Sequence, residues 1–384
     1  MQHSWLVKAA FGLEGMVKKD LERLGATDID PSPYGTKFKG DERVGYLANL
    51  WLRTADRVMM VMGEFEAHSF EELFQGVNRL PWKKLLPKDA RFPVNANCVD
   101  SQLMSPSDCQ SITKKAMVEA LRASYHDQIL PETGATFEID ISIRKDVVTV
   151  SVNTSGDALS KRGYRTWNGE APLRETIAAA MALNGGWRSR LPLHDPCCGT
   201  GTILVEAAFI ATDRAPGLNR PFACDDWALM DNDMIAELRA EAKARHEQGR
   251  QRNVQITGTD IDPEALKLCK MHIEQAGMNG FIQVSQKDVR DLQLPDIEGA
   301  MLTNPPYGER MGDKKLSKLI GLQLGQLMAR APKWSLGVIT PDRQFEQHIG
   351  RRADRRRRLY NARLECEYMT FMPKQSIQHK RSKH

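Results

Sequence analysis

The sequence predicts an α/β protein in which a doubly wound parallel sheet follows smaller modules of mixed strands and helices. From about residue 190 onward, short apolar runs alternate with longer helical patterns, as is typical of a parallel sheet. The first 155 residues instead combine short helices with strands and a hairpin. Between them lies "GDALSKRGYRTWNGEAPL" (156–173), rich in Gly and basic residues, which we interpret as an interdomain linker.

In the first part of the chain, hydrophobic periodicity and residues typical of turns predict each helix and strand. "EGMVKKDLERLG" predicts an amphipathic helix that stops at a glycine. "TKFKG", "YLANLWLRTADRVMMVMGEF" and "RFPVNANCVDSQ" predict a strand, a helix followed by a strand, and a further strand. "SPSDCQSITKKAMVEALRASY" predicts a helix capped by Ser107 or Asp108. "TFEIDISIRKDVVTVSVNTSG" predicts a hairpin that turns at "RKD".

The second part reads as strands separated by helices. The predicted strands are "PLHD", "VQITGTD", "FIQVSQK", "GAMLTN" and "WSLGVIT". The helices between them are "TILVEAAFIATD", "PEALKLCKMHIEQAG" and "KKLSKLIGLQLGQLMARA". "DDWALMDNDMIAELRAEAKARHEQGRQ" predicts an inserted helical excursion, and "RRRRLYNARLECEYMTFM" predicts a closing antiparallel hairpin.

Composition sets broad limits on the class of protein. A chain of 384 residues, 41% hydrophobic and 27% charged, is long enough for two or three globular domains. We expect a cytoplasmic protein, because the sequence has no apolar run of 18 residues and no signal-peptide pattern. The seven cysteines are odd in number and lack C-x-x-C spacing, which argues against disulfides and a zinc site. We expect them to be reduced and mostly buried.

Positive charge is concentrated near the C-terminus. The net charge is only +5, but "RRADRRRRLYNARLE" (351–365) and "PKQSIQHKRSKH" (373–384) are densely basic. Such runs indicate either a solvated face or contact with a polyanion, most plausibly nucleic acid. Charge alone does not separate the two interpretations.

"HDPCCGTGTILVEAA" (194–208) places an acid at a strand end, followed by a tight turn with Gly199 and Gly201 and then a helix. Ligands of doubly wound sheets bind at the carboxyl ends of the strands, and glycines there let the backbone approach a ligand closely. The pattern matches neither a dinucleotide fingerprint nor a Walker phosphate loop. A purely structural turn explains the glycines about as well.

Acidic residues end the next two strands. Asp260 ends "GTDID", the position at which an α/β nucleoside site accepts hydrogen bonds from ribose hydroxyls. Asp262 precedes Pro263 and is better placed as a helix cap, and a cap is also the alternative for Asp260. Asp288, in "QKDVRDL", can accept a hydrogen bond from an adenine amino group. Because no phosphate loop accompanies these acids, we expect a nucleoside with a small charged arm rather than a dinucleotide.

"NPPY" (304–307) ends the fourth strand of this series. The Asn304 side-chain carbonyl and the Pro305 backbone carbonyl are two acceptors that can hold the hydrogens of a planar exocyclic amine. Tyr307 can stack on the base that carries the amine. Orienting that weak nucleophile toward a methyl group is what catalysis requires, and the alternative is a rigid Pro-Pro turn.

"DPCCGTGT", "GTDID" and "NPPYGER", in this order and spacing, resemble the class I S-adenosylmethionine-dependent RNA methyltransferases. The resemblance is closest to the bacterial THUMP-domain guanine-N2 methyltransferases of large-subunit ribosomal RNA, and it extends over nearly the whole chain. "VDSQLMSPSDCQSITKKAMVEAL" resembles the core of the THUMP module, and "KRGYRTWNGEAPLRETIAAA" the segment that joins it to the catalytic domain.

The resemblance implies a Rossmann-like class I methyltransferase domain preceded by ferredoxin-like and THUMP α+β modules. The implied domains are a ferredoxin-like region (1–60), a THUMP domain (61–156), a linker (157–170), the methyltransferase domain (171–373) and a basic tail (374–384). The family's large bifunctional members carry a second methyltransferase domain, which this sequence does not include.

The family's site residues carry over to matching positions of this sequence. The implied catalytic residues are Asn304, Pro305, Pro306 and Tyr307. The implied residues for S-adenosylmethionine are Asp195, Pro196, Gly199, Gly201, Thr202, Asp260, Ile261, Asp288 and Asn304. We expect a monomer that acts on ribosomal RNA, most plausibly that of the large subunit, and the sequence predicts neither a metal site nor a membrane span. The alternatives are an adenine-N6 methyltransferase on RNA or DNA, and a catalytically idle RNA-binding module.

Overall fold

The computed structural model describes residues 2–165, 173–307, 311–362 and 364–373, with the side chains of 311–314 left out. The chain divides into two compact units. Unit 1 comprises Met1–Ala9, Val17–Leu159 and Arg220–Ala240, and unit 2 comprises Ala10–Met16, Ser160–Asn219 and Glu241–His384. No helix in the described ranges is long and apolar enough to cross a membrane.

Unit 1 is built on one sheet of seven strands. Its strands are β1 (His3–Ala9), β2 (Thr27–Ser32), β3 (Gly35–Gly40), β4 (Ala55–Glu66), β5 (Val94–Val99), β6 (Ile139–Arg144) and β7 (Val147–Asn153). They lie in the order β2-β3-β1-β4-β7-β6-β5, and all neighbours are antiparallel except β5 and β6. The helices are α1 (Glu14–Arg23), α2 (Glu42–Trp51), α3 (Phe70–Asn78) and α4 (Pro106–Tyr125).

Period-2 alternation explains how this sheet buries one face. Ile139, Ile141 and Ile143 of β6 are fully buried, while the residues between them are partly exposed. The predicted hairpin is confirmed, and Lys145 and Asp146 form its turn with positive φ angles of 48° and 62°. The alternation of apolar and polar residues therefore decides which side of each strand packs against the helices.

The predicted caps of α4 are wrong. Ser105 caps the helix, and its hydroxyl accepts a hydrogen bond from the N–H of Asp108 at 3.4 Å. The reason is Pro106, whose fixed φ and missing N–H suit the first helical position. Ser107 and Asp108 therefore lie inside the first turn.

Unit 2 carries the predicted alternation of strands and helices. Its strands are β8 (Leu193–Asp195), β9 (Ile256–Asp260), β10 (Ile282–Gln286), β11 (Gly299–Thr303), β12 (Trp334–Thr340), β13 (Arg355–Asn361) and β14 (Leu364–Phe371). The helices of this part of the chain are α5 (Glu175–Asn184), α6 (Thr202–Ala211), α7 (Asn232–Gly249), α8 (Pro263–Gln275), α9 (Met311–Arg330) and α10 (Phe345–Ile349).

The strand order of unit 2 is β10-β9-β8-β11-β12-β14-β13. β8 to β12 are parallel, and β14 runs antiparallel to both β12 and β13. The predicted parallel sheet and closing hairpin are therefore confirmed. Chain order reverses between β8 and β11, which creates the crevice in which doubly wound sheets bind ligands.

Each unit includes a segment from the other side of the predicted domain boundary. Residues 220–240, which the linear division assigns to the methyltransferase domain, belong to unit 1. There Trp227 stacks on Phe137 with ring centroids 4.6 Å apart, and the Tyr46 hydroxyl donates to Asp225 at 2.9 Å. Residues 10–16 belong to unit 2, where Arg357 donates to the carbonyl of Gly12 at 3.1 Å.

Part of the predicted linker is packed structure. Arg162 and Glu206 form an ion pair that is almost fully inaccessible to solvent, with Nε to Oε1 at 3.2 Å. Arg165 lies 3.4 Å from Glu175 and donates to the Thr202 hydroxyl. The linker residues 166–172 lie outside the described ranges.

Candidate active site

A cleft of about 740 Å³ opens at the carboxyl ends of the parallel strands of unit 2. Seven of the sequence-predicted site residues line it: Pro196, Gly199, Asp260, Ile261, Asp288, Asn304 and Pro306. The volume falls in the range of ordinary small-molecule sites. The cleft therefore lies at the strand ends at which the sequence predicts a ligand site.

Asp260 connects two loops that form the cleft wall. One carboxylate oxygen accepts the N–H of Gly199 at 2.8 Å, and the other accepts the N–H of Asp262 at 3.0 Å. An ionised carboxylate offers about four acceptor positions, so roughly two remain for a ligand. Asp262 also caps α8 by accepting from the N–H of Glu264 at 2.9 Å. Both predicted functions of this acidic pair, ligand acceptor and cap, are thus compatible with the structure.

Asp195 is placed differently from its predicted position. Its carboxyl group is buried, 1% exposed, and accepts the N–H of Cys197 at 3.1 Å. Burial raises its pKa to about 7, and the negative charge of Asp260 contributes to the rise. The residue shapes the turn behind the cleft, and its side chain is not among the groups that line it.

The two glycines of the turn have separate roles. Gly199 lines the cleft at φ +49°, and no atom lies within 4 Å of the position a Cβ would take. Gly201 begins α6 at φ +84°, and a Cβ there would lie 2.5 Å from the Cys269 sulfur. Gly201 therefore permits close packing of the chain, whereas Gly199 keeps the cleft wall open. Thr202, next in the chain, is buried and bonded to Arg165 rather than exposed to the cleft.

Asp288 lines the cleft beside a cation. It accepts from the backbone N–H of Arg290 at 2.8 Å and from the guanidinium at 2.7 Å. The Arg290 hydrogen bonds hold the pKa of Asp288 below its usual value, so the carboxylate is ionised and able to accept.

Asn304 lines the cleft and has an unpaired side-chain acceptor. Its side-chain oxygen is buried and makes no hydrogen bond within the part of the chain that the structure describes. Because a buried acceptor without a partner costs free energy, such a group indicates a place where a donor binds. Pro306 also lines the cleft, while Pro305 is buried.

Tyr307 is half-buried and does not line the cleft. Burial raises the pKa of its hydroxyl, and hydrogen bonds from Asn361 and Asn304 oppose that rise. The hydroxyl therefore lies beside Asn361, the last residue of β13. The Tyr307 ring is therefore not in the predicted stacking position beside Asn304 at the cleft wall.

Sequence reasoning missed the apolar wall of the cleft. Leu316, Leu319 and Ile320 of α9 line it, and the two leucines are 42% and 46% exposed. Ile261, on the opposite loop, is 63% exposed. The signal in the sequence was the excess of leucine in "KKLSKLIGLQLGQL", which is more than one buried helix face requires. Lys287, Arg290 and Gln323 were also missed.

The chemistry of these groups fits a nucleoside cofactor. Asp260 has acceptor positions for ribose hydroxyls, Asp288 is an ionised acceptor, and exposed Ile261, Leu316 and Leu319 offer apolar surface to a flat base. The glycine at position 199 leaves room beside the backbone. The described wall therefore suits the adenosine part of S-adenosylmethionine.

Comparison with protein families decides the assignment. The model described as "RMKL-like, methyltransferase domain" matches residues 162–370, more than half of the chain. This chain belongs to the RMKL-like methyltransferase family. The RlmL ferredoxin-like domain matches residues 5–59 and the THUMP domain residues 67–153 of this methyltransferase. S-adenosylmethionine is the cofactor.

Individual relatives agree with the assignment. The methyltransferase is 36% identical over 99% of both chains to YpsC of Bacillus subtilis (strain 168), named as a candidate RNA methyltransferase. It is 32% identical to the ribosomal RNA large subunit methyltransferase K/L of Cellvibrio japonicus (strain Ueda107), covering 97% of this chain. The chain spans 51% of the length of that relative.

Solved structures share the fold of this methyltransferase. The structure of SMU.472, complexed with SAH, superposes with a TM-score of 0.92 at 38% identity and covers 97% of this chain and 98% of its own. A structure from Listeria monocytogenes str. 4b F2365, described as a predicted N6-adenine-specific DNA methylase, gives 0.91 at 39% identity, with 97% and 96% covered. The fold class predicted from the sequence is confirmed.

Proposed function

We propose that this methyltransferase transfers a methyl group to the exocyclic N2 amine of a guanine in RNA, and that the RNA is large-subunit ribosomal RNA. RNA as the substrate class is supported by the THUMP match and by the names of the two relatives. The guanine rests on the resemblance of "NPPYGER" to the guanine-N2 enzymes. The observation that carries the proposal is the unpaired, buried oxygen of Asn304 at the cleft.

The chain's own groups hold and polarise the amine. The Asn304 oxygen accepts one amine hydrogen and the Pro305 carbonyl accepts the other, so that the nitrogen lone pair points into the cleft. Asp260 and Asp288 would hold S-adenosylmethionine, which would supply an electrophilic sulfonium methyl group; transfer to the amine nitrogen would leave the demethylated thioether as the other product. The two acceptors stabilise the positive charge that grows on nitrogen, and the proton then leaves to water. They therefore act on the rate more than on binding.

Asn304→Ala tests this role directly. We expect the single-turnover methylation rate to fall by roughly 10²–10³, the usual loss for one preorganised electrostatic partner, with both binding affinities nearly unchanged. Asn304→Asp is the matched control, because it keeps an acceptor oxygen at the same position while a charged carboxylate oxygen replaces the amide donor. Methylation by Asn304→Ala at the parental rate would show that "NPPY" is only a rigid turn.

An adenine amine presents two hydrogens to the same acceptors, and the Listeria structure is described as an adenine methylase. Adenine-N6 methylation is therefore the second candidate. Incubating purified protein with S-adenosylmethionine and ribosomal RNA, followed by nucleoside mass spectrometry, separates the two. Methylated guanine at N2 supports the proposal, and methylated adenine at N6 replaces it with the second candidate. No methylated nucleoside would favour an idle RNA-binding module.

A further inference from the structure

Four consecutive arginines, Arg355 to Arg358, occupy β13, the edge strand of the unit 2 sheet. All four are exposed. Because strand residues alternate in direction, Arg355 and Arg357 lie on one face and Arg356 and Arg358 on the other. The two faces differ in whether carboxylates pair with their arginines.

Carboxylates neutralise one face. Arg356 pairs with Glu346 and lies 3.8 Å from Glu367, and Arg358 lies 3.8 Å from Glu365. Arg343, outside the strand, also contacts Glu365 at 3.3 Å. The positive charge of this face is therefore largely balanced within the protein.

The other face keeps its charge. Across the described ranges of the chain, Arg355 makes no ion pair and no side-chain hydrogen bond, and the same holds for Arg352, just before the strand. Arg357 donates to the neutral carbonyl of Gly12, which leaves its charge uncompensated. We refer to Arg355 and Arg357, together with Arg352 in the segment just before the strand, as the unpaired arginine face. A merely solvated run would not be expected to separate paired from unpaired charges so cleanly by strand face.

The register relates this face to the cleft. Arg355 is opposite Thr370, Thr370 is opposite Gly337, and Gly337 is opposite Leu302, two residues before Asn304. Three strand spacings separate β13 from β11, which amounts to about 14 Å. A polymer whose base reaches Asn304 can therefore place neighbouring phosphates along this edge of the sheet.

We propose that the unpaired arginine face binds the phosphate backbone of the substrate RNA, an inference that rests on the proposed function. Arginine is suited to this task because its planar fork of donors matches phosphate oxygens. The contact is independent of sequence and positions the RNA, while the cleft reads the base.

The test compares two double variants that remove the same charge. Arg352→Gln with Arg355→Gln removes unpaired cations, and Arg343→Gln with Arg358→Gln removes two cations that share Glu365. The probe is a fluorescein-labelled hairpin RNA with a single-stranded extension, titrated by anisotropy at several salt concentrations. Thermal melting confirms that each variant is folded.

We expect the first pair to weaken RNA binding about 10- to 30-fold at roughly 0.1 M salt and to reduce the salt slope by about 1–2, as for two lost phosphate contacts. The paired control should stay within about threefold, the scale of a surface ion pair. Equal losses in both pairs, or no loss in either, would overturn the proposal. Methylation at saturating RNA keeps the tests distinct, because we expect the first pair to retain the parental maximal rate. If the parent protein methylates no RNA, the proposed function fails whatever the binding curves show.

Discussion

Asp260 offers the sharpest test of the cofactor site, because it accepts two backbone hydrogen bonds and still faces the cleft. Asp260→Ala removes the acceptors for Gly199 and Asp262 together with those left for a ribose hydroxyl. A hydrogen bond to a charged group contributes about 1.5–3 kcal/mol, and relaxation of the two loops offsets part of it. We therefore expect the affinity for S-adenosylmethionine to fall by about 1–3 kcal/mol, or roughly 5- to 150-fold.

Asp262→Ala is the matched control, since Asp262 lines the same cleft but its carboxylate caps α8. It should lower stability by about 1 kcal/mol, the usual cost of a lost cap, and change cofactor affinity by less than about threefold. Calorimetry with S-adenosylmethionine and with its demethylated product measures both variants, and thermal melting measures stability. Parental affinity in Asp260→Ala, or an equal loss in Asp262→Ala, would refute the assignment of Asp260 to the ribose.

Three further predictions concern residues in and around this cleft. Gly201→Ala should lower the melting temperature more than Gly199→Ala, because a Cβ at position 201 would lie 2.5 Å from the Cys269 sulfur. Gly199→Ala should mainly weaken cofactor binding, which calorimetry measures. The buried Asp195 carboxyl has its pKa raised from 3.8 to about 7, so its contribution to stability is present below pH 4 and lost as pH rises toward 7. The loss amounts to at most about 4 kcal/mol, and urea unfolding of Asp195→Asn should show a flatter pH dependence than the parent; parallel curves would contradict the shift. Tyr307 does not line the cleft, so stacking on the target base requires its ring to move. With that movement, Tyr307→Ala should reduce RNA affinity by about 1–3 kcal/mol through lost stacking and leave cofactor affinity unchanged; unchanged RNA affinity would place the ring outside the base site.

Much of unit 2 could be predicted because its signals are local. Apolar runs, glycine turns and strand-end acids are each contained within a few residues. The topology of a doubly wound sheet brings the carboxyl ends of its strands together at one crevice. Asp260 and Asn304, which this rule places at the strand ends, both line the cleft. The rule does not say which way a strand-end side chain points, so Asp195 was expected at the cleft wall and lies behind it.

Other features depend on contacts between distant residues. The exposed leucines of α9 look like core residues until the helix is placed beside the cleft. Trp227 looks like part of a helical insertion in the second domain, and only its stacking on Phe137 shows that it completes the first. The separation of the β13 arginines into paired and unpaired faces likewise needed the positions of Glu346, Glu365 and Glu367.

The membership of residues 220–240 in unit 1 has a consequence for biosynthesis. Chains emerge from the ribosome amino end first, and N-terminal domains generally fold before later ones are made. Here the ring of Phe137 has no stacking partner until Trp227 has been synthesised, 90 residues later, a delay of about 5–20 s at ordinary elongation rates. Unit 1, which contains the THUMP domain, is therefore completed only after β8 and the loop that follows it have also been made. A nascent chain that stalls before that point carries neither finished unit, which limits the chance that a partial product occupies RNA without being able to modify it.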